Sequence, residues 1–249
     1  MKGFVLPVLA VASLLSAPVF AETDLTEEEL KKRGFAGGIE FGFNMTTGNT
    51  ETTAYRTRID VDHFLIGWRN NYVIETDYKE DDEETKEERY FGSAQGNREW
   101  EFAPNSYTFF RYSYENDRFN GMEDANTISV GYGQRVLETE TLFLDLEGGP
   151  GYRTNDANEQ DDEWIARLAG NLAWDISDTA KFTQRLSSEI GQNNTISRSE
   201  SALTANVIGS LALKVSFTVT HQTDPAEEDD GEELDSTDTR TAVTLLYKF

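Results

Sequence analysis

Residues 211–219 read LALKVSFTV and residues 241–249 read TAVTLLYKF, and both alternate with a period of two. In the first, Leu211, Leu213, Val215, Phe217 and Val219 share one face, while Ala212, Lys214, Ser216 and Thr218 share the other. In the second, Val243, Leu245, Tyr247 and Phe249 oppose Thr244 and Lys248. Successive side chains of a strand point to opposite faces, so this pattern gives a strand one apolar and one polar side. The same rhythm recurs upstream. Phe35, Ile39, Phe41, Phe43 and Met45 face away from Glu40 and Asn44; Leu142, Leu144 and Leu146 from Asp145 and Glu147; Trp164, Ala166, Leu168, Leu172 and Trp174 from Arg167 and Asn171.

Worked outward from these stretches, the chain divides from Gly34 onward into about twelve β-rich runs of roughly ten residues each, the signature of a strand that crosses a bilayer at a tilt. They are 34–46, 52–64, 68–79, 89–101, 106–116, 124–137, 141–154, 164–175, 180–191, 198–207, 211–223 and 237–249. Short connections (Leu65–Gly67, Phe102–Asn105, Glu138–Glu140, Ile176–Thr179, Ile208–Ser210) exchange with longer polar ones (Thr47–Glu51, Glu80–Glu88, Asp117–Glu123, Asn155–Glu163, Gln192–Ser197, Asp224–Ser236). In an up-and-down meander, alternate connections lie at opposite ends. The predicted fold is therefore all-β: an antiparallel transmembrane barrel of about twelve strands, with short periplasmic turns and long acidic extracellular loops. Hydrocarbon offers no hydrogen-bond partner to an open sheet edge, so such a sheet must close.

Composition narrows the functional classes. The chain has 249 residues, a net charge of −24, no Cys and two His. The charge argues against binding a nucleic-acid backbone, which rewards Lys and Arg. Without Cys there is no disulfide framework or thiolate zinc site, and two His exclude a multi-His metal centre. Residues 1–21, MKGFVLPVLAVASLLSAPVFA, have a basic n-region at Lys2, an apolar run from Phe4 to Leu15, and small residues Val19 and Ala21 before a cleavage point. This is the pattern of a secretory signal peptide. Residues 22–33 form a periplasmic N-terminal segment, in which Thr26 to Glu29 resemble a helix-capping box or a plain linker. Residues 34–249 form the barrel. Trp68, Trp100, Trp174, Phe64, Phe102, Tyr107 and Phe182 gather near the short turns, and Tyr55, Tyr78, Tyr90, Tyr152 and Trp164 near the long loops, as two aromatic girdles would.

Two stretches carry a resemblance. The ending Val243–Phe249, with Tyr247 and a terminal Phe249, resembles the C-terminal assembly signal of Gram-negative outer-membrane proteins. Residues 38–54, GIEFGFNMTTGNTETTA, with Gly38, Gly42 and Gly48-Asn49-Thr50 in a fixed spacing, resemble the opening hairpin of the YdiY-like family of salt-induced outer-membrane proteins. The resemblance implies a Gram-negative outer-membrane location, recognition of Phe249 by the assembly machinery and no established enzymatic activity. It supplies no functional residues and no cofactor.

The acids concentrate in three loops. Glu80–Glu88 holds seven, Asn155–Glu163 five and Asp224–Asp238 nine. Such a rim gathers cations, and its carboxylates suit divalent ions that would bridge to anionic lipopolysaccharide. No loop has the spacing of a calcium-binding hand, which favours a solvated anionic surface over a specific metal site.

With the apolar faces turned to lipid, the opposite residues line the lumen: Arg56, Arg58, Asp60, Asp62, Glu75, Asp77, Arg111, Glu115, Arg135, Asp145, Glu147, Arg167, Arg185, Glu189, Glu200, Lys214 and Arg240. A narrow polar pore and a salt-bridged plug both fit this list. Twelve strands lie between the filled eight-stranded and the open sixteen-stranded case. The leading function is a non-enzymatic outer-membrane barrel, either a small-solute or ion pore or an envelope component linked to salt stress. Two alternatives stand beside it. One is an outer-membrane lipid hydrolase using His221 with Ser197 or Ser199, for which no third, orienting group is evident. The other is a soluble periplasmic barrel that binds a ligand.

Overall fold

The computed structural model describes residues 34–46, 52–82, 84–156, 162–225 and 234–249. The signal peptide at 1–21, the segment at 22–33, the tip at 47–51, Glu83 and the centres of the two longest acidic loops lie outside the described residues.

Twelve antiparallel strands form one closed barrel in simple meander order. They are β1 (Phe35–Thr46), β2 (Thr52–Leu65), β3 (Trp68–Asp81), β4 (Glu84–Glu99), β5 (Ser106–Asp117), β6 (Met122–Glu138), β7 (Leu142–Thr154), β8 (Glu163–Ser177), β9 (Ala180–Ile190), β10 (Thr195–Ile208), β11 (Leu211–Gln222) and β12 (Thr237–Lys248), with a short 3-10 turn at Arg118–Asn120. The period-two pattern thus specifies strands where it is clean and also where it is weak.

One acidic loop is not a loop. β3 runs on to Asp81 and β4 begins at Glu84, so most of Glu80–Glu88 is hairpin ladder, with Lys79 opposite Glu87 and Asp81 opposite Glu84. Asp82 turns the chain at a φ of 48°. The reason is physical: a strand that continues beyond hydrocarbon has no need of apolar side chains, so a run of acids does not end it. β10 likewise starts at Thr195, which shortens the connection read as Gln192–Ser197, while the turn between β4 and β5 spans Trp100–Asn105. Connection lengths therefore do not alternate strictly. The meander order alone assigns the ends.

The apolar faces point outward. Phe41, Phe43, Val130, Leu168, Leu186, Leu213, Val215, Phe217, Val243 and Leu245 are all exposed around the wall. A soluble barrel would turn this belt inward, and an apolar surface of this extent does not persist in water. It is the surface that lipid requires, and the soluble alternative falls on it. At the loop end Tyr55 stacks on Tyr78 at 5.0 Å and Tyr152 meets Trp164 edge-on at 5.2 Å. At the turn end His63 stacks on Phe35 at 4.2 Å. Two expected girdle residues are not in the girdle. Tyr107 is buried inside and donates to Glu147 at 2.9 Å, and Phe64 shares the inward parity of Arg58, Asp60 and Asp62. β5 carries aromatics on both faces at this end, with Tyr107 and Phe109 buried and Phe110 exposed, so side-chain type did not fix its phase.

The closing seam is short. β1 and β12 pair from Gly38 opposite Lys248 to Phe41 opposite Leu245, and Gly37 and Phe249 exchange two backbone hydrogen bonds of 3.0 Å. Two predictions follow from belt and seam. Val215→Arg places a cation against lipid and should destabilise the barrel by about 2–4 kcal/mol if it sits near the bilayer midplane, read from urea unfolding in lipid vesicles. Deleting Phe249 removes both terminal seam bonds and should reduce the fraction of protein that shows a heat-modifiable shift on SDS gels.

Candidate functional site

The site is the barrel interior. Inward parity is set strand by strand by the apolar residues that take the outside, and this leaves charged side chains on the wall of a space that lipid cannot reach. Burying a charge is tolerable only when it is paired and hydrogen-bonded, and the interior meets that condition through linked ion pairs.

The larger network starts at the β2–β3 register. Arg56 pairs with Asp77 at 3.1 Å, and Arg58 pairs with Glu75 directly across the ladder. Arg58 also reaches Asp60 at 2.9 Å and Glu200 at 3.6 Å. Arg89 holds Glu75 and Glu115, each at 2.8 Å, and Asp77 at 3.2 Å. Lys214 bonds Glu40 at 2.9 Å and Glu200 at 3.3 Å. Arg240 pairs with Asp77 at 3.2 Å and with Glu87. A second network lies on the β6–β9 side. Arg135 and Arg69 share Asp145 at 2.9 Å and 3.2 Å. Arg167 and Arg153 share Glu189 at 3.5 Å and 3.7 Å, and Arg153 also pairs with Glu163. Glu147 accepts from Gln95 at 2.8 Å and Tyr107 at 2.9 Å.

Several pairs cross the bore rather than follow the wall. Arg185 on β9 meets Asp60 on β2 at 3.1 Å, and Arg198 on β10 meets Glu115 on β5 at 2.5 Å, each between strands far apart in the ring. Between the networks lies a cavity of about 380 Å³ whose lining includes Arg58, Asp62, Arg111, Glu147, Arg167 and Glu200. A second hollow of about 360 Å³ opens among Gly67, Glu99, Asn105 and Glu138 at the turn end, and Arg69 lines both. The Arg69–Asp145 pair is therefore part of the partition between them. At the loop end Met122, Ala125 and Ile196 form a small apolar cluster, and Gln222 donates to the Asn120 carbonyl at 2.7 Å, which ties the 3-10 turn to β11.

Of the residues expected in the lumen, Asp62 takes a hydrogen bond from Asn71 at 3.0 Å, Arg135 sits at the turn end beside Asp145, and Arg111 is the cation that pairs with no acid among the described residues. Sequence reasoning missed Arg89, Arg198, Arg153, Glu163, Arg69 and Asp117. Arg153 and Glu163 were recoverable by counting in twos from Glu147 and Arg167. Arg89 was not, because Gly92 and Gly96 occupy outward positions of β4 and erase its apolar phase.

The Ser–His arrangement lies outside the barrel. Ser197 and His221 are register partners, but the Ser197 hydroxyl is 2.9 Å from that of Ser188, and His221 Nδ1 is 2.9 Å from the Thr237 hydroxyl. No acid orients the imidazole among the described residues. Nor do the described residues group three or more of His, Asp and Glu as a metal site. The centres of the Asn155–Glu163 and Asp224–Asp238 loops, to which divalent ions were assigned, lie outside them.

The networks predict a stability contrast. Arg89→Met leaves Glu75 and Glu115 short of a buried partner and should destabilise the barrel by about 3–5 kcal/mol. Lys86→Ala, which removes the exposed 2.6 Å pair with Glu84, should leave the unfolding midpoint unchanged in the same assay.

The fold and site bear comparison with known proteins. The chain resembles the NanC porin structure with a TM-score of 0.51 and 12% identity, over 86% of this chain and 98% of that one. It aligns with an outer-membrane channel from Pseudomonas putida F1 at a TM-score of 0.49 and 10% identity, over 86% and 95%. At such identities the first likeness speaks for the fold alone. Uncharacterized protein YdiY of Escherichia coli (strain K12) is 30% identical over 225 residues, covering 87% of this chain and 84% of that protein. The model of the family described as protein of unknown function, DUF481, matches residues 39–249. The chain thus belongs to the DUF481 family, whose signature runs from the first strand of the barrel to its last residue.

Proposed function

We propose that this protein is a narrow outer-membrane channel for small solutes, without enzymatic activity. The observation that carries the proposal is the polar cavity of about 380 Å³ within a wall whose outer surface is apolar. A barrel needed only as a scaffold could fill its interior with packed side chains. This one instead keeps a polar space bounded by ion pairs. At roughly 30 Å³ per water molecule, the volume equals about a dozen waters, which suits a small ion or metabolite and not an extended oligomer.

The cross-bore pairs set the bore in this proposal. Arg69–Asp145 restricts the passage toward the turn end, and Arg185–Asp60 divides the middle. Within the same proposal the acidic loops face the outside, gather cations that bridge to lipopolysaccharide, and link the protein to salt conditions through screening. The Tyr247–Phe249 ending would address it to the assembly machinery, after removal of the signal peptide at 1–21. The hydrolase alternative finds no support in the Ser197 and His221 contacts.

Planar-bilayer recording tests the channel. The wild-type protein should give discrete conductance steps, and the doubly substituted Arg69→Ala, Arg185→Ala protein should give larger ones. A bilayer that stays sealed with both proteins, each shown to be folded by its heat-modifiable gel shift, would overturn the proposal.

A further inference from the structure

The interior cations are nearly all spoken for, with one exception. Arg111 projects inward from β5 and lines the central cavity, yet its guanidinium makes no hydrogen bond or ion pair among the described residues, and its Nε is shut off from solvent without a partner. Its guanidinium carbon lies 5.9 Å from the Phe91 ring, which Arg89 flanks at 5.1 Å. Arg167, only 8% exposed, lines the same cavity, and its Nε is also buried and unpartnered. Ser129, opposite Arg111 in the β5–β6 register and 1% exposed, has a third polar atom without a partner at its hydroxyl.

The charges facing Arg111 are Arg167 and Arg198 on one hand and Glu189 and Glu147 on the other. Both acids are already engaged. Glu189 is divided between Arg167 and Arg153, and Glu147 is held by Gln95 and Tyr107. Arg198 is committed to Glu115. Arg111 is thus left without an acid of its own; in the same cavity Asp62 is bonded by Asn71 alone and one Asp117 carboxylate oxygen has no partner, so the donors gather at the Arg111–Arg167 part of the wall and the spare acceptors at other parts of it. The wall between Arg111 and Arg167 carries inward glycines on β6 and β7. A Cβ at Gly131 would collide with the Gly148 carbonyl, and one at Gly149 with the Val130 carbonyl, so these positions keep the wall low between the two arginines.

We infer that Arg111 and Arg167 form a binding site for the oxyanion group of a small solute, a carboxylate or a phosphate. A guanidinium offers a planar fork of N–H donors that matches either group in bidentate fashion. The cavity volume limits the rest of the ligand to a small metabolite. The exposed acids at the tip of the β3–β4 hairpin, such as Glu84, stand in solvent, where 0.1 M salt screens them beyond about 10 Å. The inference rests on the reading of the interior as a solute pathway and gives that pathway a ligand class.

Isothermal titration of the folded barrel in detergent tests it, with sodium phosphate, sodium acetate and glucose as separate probes in constant chloride. Phosphate or acetate should bind and glucose should not, and the stronger of the two anions identifies the group recognised. Arg111→Gln should weaken binding about tenfold or more, the scale of one lost charge-assisted hydrogen bond. Arg111→Lys should restore part of it. Because Arg111 pairs with no acid, Arg111→Gln strands no buried charge, and its heat-modifiable gel shift should match that of wild type. No heat from either anion, or equal affinity in wild type and Arg111→Gln, overturns the inference. A barrel that conducts but does not bind overturns this site alone. One that binds but does not conduct overturns the channel alone.

Discussion

A peptide group inside hydrocarbon has no water to bond, and each group left unpaired there costs several kcal/mol. The architecture follows from that constraint. The sheet must close, so β12 returns to β1. The outer face must be apolar, so the period-two pattern places Leu213, Val215 and Phe217 outside and Lys214 and Ser216 inside. Charge is then confined to the interior and to the stretches beyond the membrane, where β3 and β4 continue as an acidic hairpin.

Confinement makes the interior a problem of mutual satisfaction. Glu75 alone is reached by Arg56, Arg58 and Arg89, so no one of these can be removed without consequence for the others. A network of this kind is poor evidence of net stability, since desolvation offsets much of the Coulomb gain. It is better evidence of specificity: a wall of linked pairs permits one arrangement and holds a defined space open. Where the linkage lapses, as at Arg111, the lapse stands out against cations such as Arg89, Arg167 and Arg198, each of which holds an acid.

Much of this was legible in the chain. Residues 211–223 mark a strand whose observed limits differ by a single residue, because apolar and polar positions alternate from Leu211 to Val219 without interruption. The lumen charges expected from the chain rest on the same parity. What escaped did so for identifiable reasons. The Glu80–Glu88 run looked like a loop because hydrated strand and hydrated loop use the same side chains. Arg89 followed it into obscurity, and the glycines of β4 removed the phase that would have exposed it. Tyr107 was assigned to lipid because an aromatic beside a turn fits either side of the wall. Pairs such as Arg198–Glu115 and Arg185–Asp60 depend on the cross-section of the closed ring, which no local pattern encodes.

The outward belt has a consequence before the protein is ever a barrel. Until the seam closes, the strands that will face lipid are sticky ribbons with bare edges, the kind of species that aggregates. The chain that carries them has 46 acidic residues against 22 basic ones and no thiol to cross-link. Mutual repulsion between such chains opposes coalescence. The surplus of carboxylates thus also keeps unfinished copies apart in transit.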